Sequence, residues 1–275
     1  IAAVWIVHRF VPALQPARPN QRFDVLGAVL LFITLGLYAL GMTSGQQNGF
    51  ETSAVKIMLI SATLGLIIFV VNEKRAPQPM VDLSLFKNVL FGMNLLMALL
   101  LFIVLAGMFI LPFYLELVKG YDTQIVGLLM MVNPIGMGLT APIAGHLSDR
   151  YGSRIISLIG LVVVIAAALL LSTLSVDTTP IGFLGRTFFV GLGMGLFQSP
   201  NNSAVMGTVP RDRLGVASGL LALSRTLGHT TGIPLIGAIF TASVLSVSSI
   251  PGIHSISDAE PAALVSGIQQ TFQIA

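Results

Sequence analysis

Cysteine is absent from this 275-residue sequence, and charge is scarce. Without cysteine there are no disulfides and no thiolate metal sites, and the redox compartment leaves no mark. Asp, Glu, Lys and Arg make up 9% of the residues, where a soluble domain carries about 25%. So few charges cannot cover a water-facing surface, which excludes an ordinary soluble protein. The sequence has no H-E-x-x-H, no phosphate-binding G-x-x-x-x-G-K-S/T and no G-x-S-x-G elbow. Its four histidines, His8, His146, His229 and His254, are scattered and suggest no metal site. No cofactor is expected. The chain begins at Ile1 and shows no signal-peptide pattern, so a fragment is expected.

What is present is apolar. Hydrophobic residues make up 55% of the chain, and the mean hydropathy is +0.91. The composition predicts an all-α, polytopic helical membrane protein whose surroundings are lipid. Helix-length apolar segments recur at Phe23–Thr43, Ala54–Asn72, Phe91–Glu116, Thr123–Ala144, Ile155–Ser175, Ile181–Ser199 and Gly215–Leu245. Each approaches the ~20 residues a span requires. Ile1–Val7 is too short and reads as the tail of a helix, and Ala262–Ala275 as the opening of another. Asp24 is placed to cap the first full span, and Met80–Phe86 forms an amphipathic connector. Pro112, Pro134 and Pro234 are placed to bend their helices.

Lys and Arg give the orientation. Ten lie in connectors on one side (Arg9, Arg18, Arg22, Lys74, Arg75, Lys87, Arg150, Arg154, Arg211 and Arg213). Only Lys56 and Lys119 lie on the other, and Arg186 and Arg225 fall within spans. Positive charge marks the cytoplasmic side. The net charge of +3 and pI of about 9.5 therefore follow topology and point to no nucleic acid.

The tightest polar interruption is Gly145-His146-Leu147-Ser148-Asp149-Arg150-Tyr151-Gly152-Ser153-Arg154. It predicts a short cytoplasmic loop between two antiparallel neighbours. Gly145 and Gly152 suit a sharp reversal. Asp149 is expected to cap the next helix, and Arg150 and Arg154 to face the cytoplasm.

That stretch resembles the loop signature G-x-L-x-D-R-x-G-x-R/K of the major facilitator superfamily of secondary transporters. It matches at Gly145, Leu147, Asp149, Arg150, Gly152 and Arg154. Further stretches are similar to the 14-helix drug:proton antiporter branch: Phe23–Gly27, Leu83–Asn88, Leu111–Leu115, Ser199–Asn202, and Gly215–Gly219 through Arg225 and Gly228. The resemblance implies a connector over 1–22, two central helices over 23–72, a connector over 73–90 and an incomplete C-terminal bundle over 91–275. It implies export of a small, drug-like molecule against protons, with an N-terminal bundle as the missing partner. In the family that bundle carries the proton-coupling acid, and no position here maps to it. The loop is implied to act as a conformational latch.

Charges within hydrocarbon mark candidate sites. Arg225 falls near mid-membrane, with His229 four residues on and Ser218 and Ala222 before it on one face. Two readings stand for Arg225: a cavity wall meeting substrate, or a structural cation bonded to a neighbouring helix. Asn133 is a third cavity candidate. Glu116 and Arg186 share the opposite, outer end, either as a gate pair or as independent interface residues. A non-transporting scaffold or sensor with this fold is the alternative function. An intramembrane hydrolase lacks a nucleophile–base spacing.

Overall fold

A computed structural model describes residues 24–248 and 259–274, together with Trp5 and Arg9. The helix tail expected at Ile1–Val7 and the connector up to Arg22 lie otherwise outside the described residues, as does His254. Among the described residues the regular structure is entirely helical.

Seven helices are long and apolar enough to cross a membrane: α1 (Val25–Asn48), α2 (Ser53–Arg75), α3 (Val89–Val118), α4 (Thr123–Tyr151), α5 (Ser153–Leu171), α6 (Pro180–Gly207) and α7 (Leu214–Val247). An eighth, α8, covers Pro261–Ile274. Each expected span is present, and most run further than the apolar stretch that revealed them. Hydropathy marks the part of a helix that lies in lipid, whereas backbone hydrogen bonding continues into water. Asp24 does cap α1, its Oδ1 accepting the Gly27 N–H at 2.8 Å. The connector before α3 contains a short 3₁₀ turn, Leu83–Lys87, capped by Asp82.

Two helices are irregular, and proline explains both. In α3 the α-helix stops at Leu105, passes through a 3₁₀ stretch (Ala106–Ile110) and ends in a π-turn (Tyr114–Val118). Pro112 has no N–H to offer the Met108 carbonyl. That carbonyl takes the Leu111 N–H instead, which tightens the turn. In α4 the break falls at Met131, between Thr123–Met130 and Val132–Tyr151. Pro134 removes the donor that would close on Met130.

α6 is the spine of one half. Its Gly191 and Gly195 lie against α4, while Gly193, on the opposite side, lies against α5. A Cβ at Gly195 would sit 2.9 Å from the Met137 carbonyl oxygen, and one at Gly193 would sit 2.8 Å from the Val164 nitrogen. Backbones therefore approach closely at these positions, as small residues allow in lipid. α4 and α5 touch each other, but each packs mainly on α6.

In the other half α7 is central, packing on α1, α3 and α8, and α2 packs on α1. A buried cluster including Tyr114, Phe183, Phe197, Phe240, Ile268 and Phe272 joins the two halves. A second, with Phe69, Val81, Leu85, Phe91, Val205 and Ala217, closes the end where α2 leaves and α3 begins. Outward faces such as Ile57, Ile60, Leu64 and Ile67 on α2 are exposed and apolar, as contact with lipid requires.

Candidate functional site

The stretch expected to be a ten-residue loop is almost wholly helix. α4 continues through Tyr151, and α5 begins at Ser153. Gly152 alone makes the reversal, at φ 88° and ψ 145°, a conformation open essentially to glycine. Gly145 stays helical and faces Ser199 of α6. Asp149 therefore does not cap α5. It lies in the last turn of α4, exposed, and no hydrogen bond or ion pair reaches it among the described residues. A carboxylate there meets the negative end of the α4 dipole. Arg150 lies over the Tyr151 ring, 5.4 Å from its centroid, and Arg154 is exposed in the first turn of α5.

Arg225 sits at the meeting point of three helices. From α7, its Nη2 donates to Asn202 Oδ1 on α6. Its guanidinium lies 5.7 Å from the ring centroid of Phe102 on α3. The edge of that ring meets His229, with centroids 4.9 Å apart and planes at 89°. α3 and α7 come this close because Gly228 has no side chain: a Cβ there would sit 2.6 Å from Phe102 Cβ. Arg225 Nε is buried without a partner, and so are both amide atoms of Asn201, which is wholly buried. Unpaired polar atoms in an interior call for water or a ligand. Ser218, Ala222 and His229 leave the same face of α7 open.

Asn133 is not brought to this group. It stands on α4, its backbone carbonyl against Gly191 of α6. Asn202, which the sequence reading had only as part of a motif, takes its place. The adjacent amides Asn201 and Asn202, late in a spanning helix, were the available signal.

At the other end Arg186 and Glu116 do not pair. Arg186 Nε donates to the Leu170 carbonyl at 3.0 Å and to Thr173 Oγ1 at 3.2 Å, and Nη1 donates to the Gly182 carbonyl at 2.9 Å. It thus satisfies the open C-terminal end of α5, where a cation is favoured. Glu116 is exposed. The ties that do close this end went unread in the sequence. Tyr114 donates to the Ser175 carbonyl at 2.7 Å and Lys119 to the Val176 carbonyl at 2.6 Å.

An apolar cavity of about 360 Å³ lies between α3, α5 and α8, lined by Met97, Leu101, Val164, Ala168 and Phe272. None of its lining residues belongs to the Arg225 group. No cluster of metal-binding side chains occurs among the described residues.

Helices of spanning length packed through a glycine-turned hairpin, with a cation held between helices, define a polytopic helical membrane protein. Residues 3–233 match the Major Facilitator Superfamily, and the chain belongs to that family. It is similar to "Multidrug resistance protein Stp" of Mycobacterium tuberculosis, at 29% identity over 81% of this chain and 41% of the relative. It is also similar to "Riboflavin transporter RibZ" of Clostridioides difficile (30%, 89% of this chain, 52% of the relative). A third relative is "Quinolone resistance protein NorB" of Staphylococcus aureus (28%, 80% and 48%). The chain spans about half the length of these curated relatives. A family of transporters sets aside the hydrolase reading.

Proposed function

We propose that the chain is the C-terminal part of a secondary active transporter that exports drug-like, amphipathic compounds in exchange for protons. On this reading α1 and α2 are the central pair of the 14-helix branch, and α3 onward belongs to the C-terminal bundle. An N-terminal bundle would face the open side of α7, and the two would rock to expose the cavity to each side in turn.

The observation that carries this reading is the Arg225–Asn202–Phe102–His229 group. It places a cation with one unpartnered nitrogen, an amide and two rings where three helices meet, beside an open helix face. A scaffold gains little from a cation placed there. The rings suit a flat, conjugated substrate, in keeping with relatives named for quinolones and riboflavin. Asp149, free of partners here, is the latch residue, seated against a helix end of the missing bundle when the inner side is closed. The Asp149 side faces the cytoplasm, across the plasma membrane.

The test is proton-gradient-dependent accumulation of a fluorescent drug in inverted vesicles containing the full-length protein. Accumulation that collapses with a protonophore is expected. No accumulation for any of a panel of amphipathic drugs, with the protein correctly inserted, would leave the scaffold reading standing.

A further inference from the structure

Two carboxylates converge where α1 begins and α2 ends. Asp24 uses Oδ1 to cap α1, and its other oxygen, Oδ2, is buried without a partner. Glu73, in the last turn of α2, is only 3% exposed. Its Oε2 accepts the Val81 N–H at 2.9 Å, while Oε1 is buried and unpartnered. The two orphan oxygens point at one spot: a Cβ built on Gly27 would lie 2.6 Å from each. They are therefore no farther apart than twice that distance, and Gly27 keeps the space between them clear.

Two carboxylates this close, one buried and one half-buried, each with a bare oxygen shut off from water, do not both stay ionised. No cation neutralises them among the described residues. α1 carries no other charge, and Lys74 and Arg75 on α2 are exposed. In the adjoining connector Asp82 is paired with Arg213, and Lys87 is exposed. Arg22 lies outside the described residues. A metal ion would need several more oxygen ligands than these two groups offer.

We propose that Asp24 and Glu73 form a shared-proton site, holding one proton between Asp24 Oδ2 and Glu73 Oε1 at the cytoplasmic edge of the central helix pair. With the proton bound, one carboxyl donates to the other and the last turn of α2 is held against the first turn of α1. Release to water leaves two carboxylates and one free proton. Their repulsion then acts directly between the two helices, because Gly27 interposes no side chain. The site is a proton-holding group for the proposed antiport; only its use, and not its existence, rests on that reading.

Infrared spectroscopy of the full-length protein in detergent reads the site directly. At neutral pH a protonated carboxyl C=O band that shifts in D₂O is expected, lost in Glu73→Gln and equally in Asp24→Asn. In the second variant the amide can donate to Glu73 and so frees it to ionise. Absence of the band in the unaltered protein overturns the proposal. A band of undiminished size in Asp24→Asn also overturns it, because Glu73 would then be a lone buried acid. Loss of the band on adding sodium or potassium at fixed pH overturns it in favour of a metal cation. Should either variant fail to fold, titration of the unaltered protein decides. The band must persist above the ordinary carboxylate range, and its disappearance within that range is fatal. Since no transport is measured, failure here leaves the export reading untouched, and failure of export leaves the pair.

Discussion

Arg213 and Asp82 clasp the end of the molecule where α2 leaves and α7 begins, with Arg213 Nη1 3.1 Å from Asp82 Oδ2. One stands at the entry to α7, the other in the connector between α2 and α3. Asp82 also accepts the Ser84 N–H at 2.9 Å, and so does two jobs.

The clasp depends on pH. Hydrogen bonding from Ser84, and then the nearby Arg213 and Lys87 charges, hold the Asp82 carboxyl below the ordinary aspartate range. A lowered folded-state pKa gives stability that is present above the unfolded value and lost as pH falls through the folded one. Acidification below the ordinary aspartate range should therefore lower the melting temperature, and Asp82→Asn should remove that dependence. At neutral pH Asp82→Asn should cost about 1 kcal/mol, as expected for a half-buried pair at the surface. Asp82→Ala should cost about 1 kcal/mol more, because the cap is lost as well. Thermal unfolding in detergent across pH measures both.

Arg225 needs its shape as well as its charge. Arg225→Lys keeps a cation but cannot both donate to Asn202 and lie over Phe102. A hydrogen bond to a charged group is worth about 1.5–3 kcal/mol, so drug flux should fall by about tenfold or more. Asn202→Ala should have a similar effect, and Asn133→Ala much less. Vesicle uptake assays with matched expression would show the ranking. Equal losses at Asn133 and Asn202 would contradict it.

Gly193→Ala should destabilise the protein, because the new methyl would meet backbone atoms of α5. Overpacking costs about 1–3 kcal/mol, more than the helix propensity regained. Gly185→Ala on the same helix meets nothing within 4 Å and should stabilise by up to about 1 kcal/mol. Opposite shifts in melting temperature are expected from the two variants.

Gly152→Ala forces a side chain into a conformation that costs about 1–3 kcal/mol. It should lower stability, whereas Asp149→Asn should leave insertion unchanged and stability no lower, since Asp149 has no partner to lose among the described residues and its charge opposes the α4 dipole. Flux should nonetheless fall several-fold in Asp149→Asn. Unimpaired flux there would remove the latch from the mechanism.

The sequence disclosed the spans because lipid permits few alternatives: each backbone must satisfy itself, and apolar runs reveal where. It failed at the Gly145–Arg154 stretch for the same reason. Residues 145–151 are polar, so they read as loop, yet nothing in them breaks a helix before Gly152. Arg225 and His229 were visible as charge and imidazole in hydrocarbon. Asn202 and Phe102 were not, because their roles depend on contacts between helices distant in sequence. The same holds for Glu73, which resembles any acidic residue at a helix end until Gly27 brings Asp24 beside it.

The alternating glycines of α6 have a mechanical corollary. With backbone close to backbone at Gly191, Gly193 and Gly195, little side-chain cushion is left at these points to absorb sliding of α4 and α5 on α6, and the single-residue joint at Gly152 leaves little slack. If the bundle rocks as proposed, they would travel as one stiff plank. On the proposed transport reading, any give would be left to the irregular stretches: the break at Met131 and the uneven coil of α3 from Ala106 to Val118.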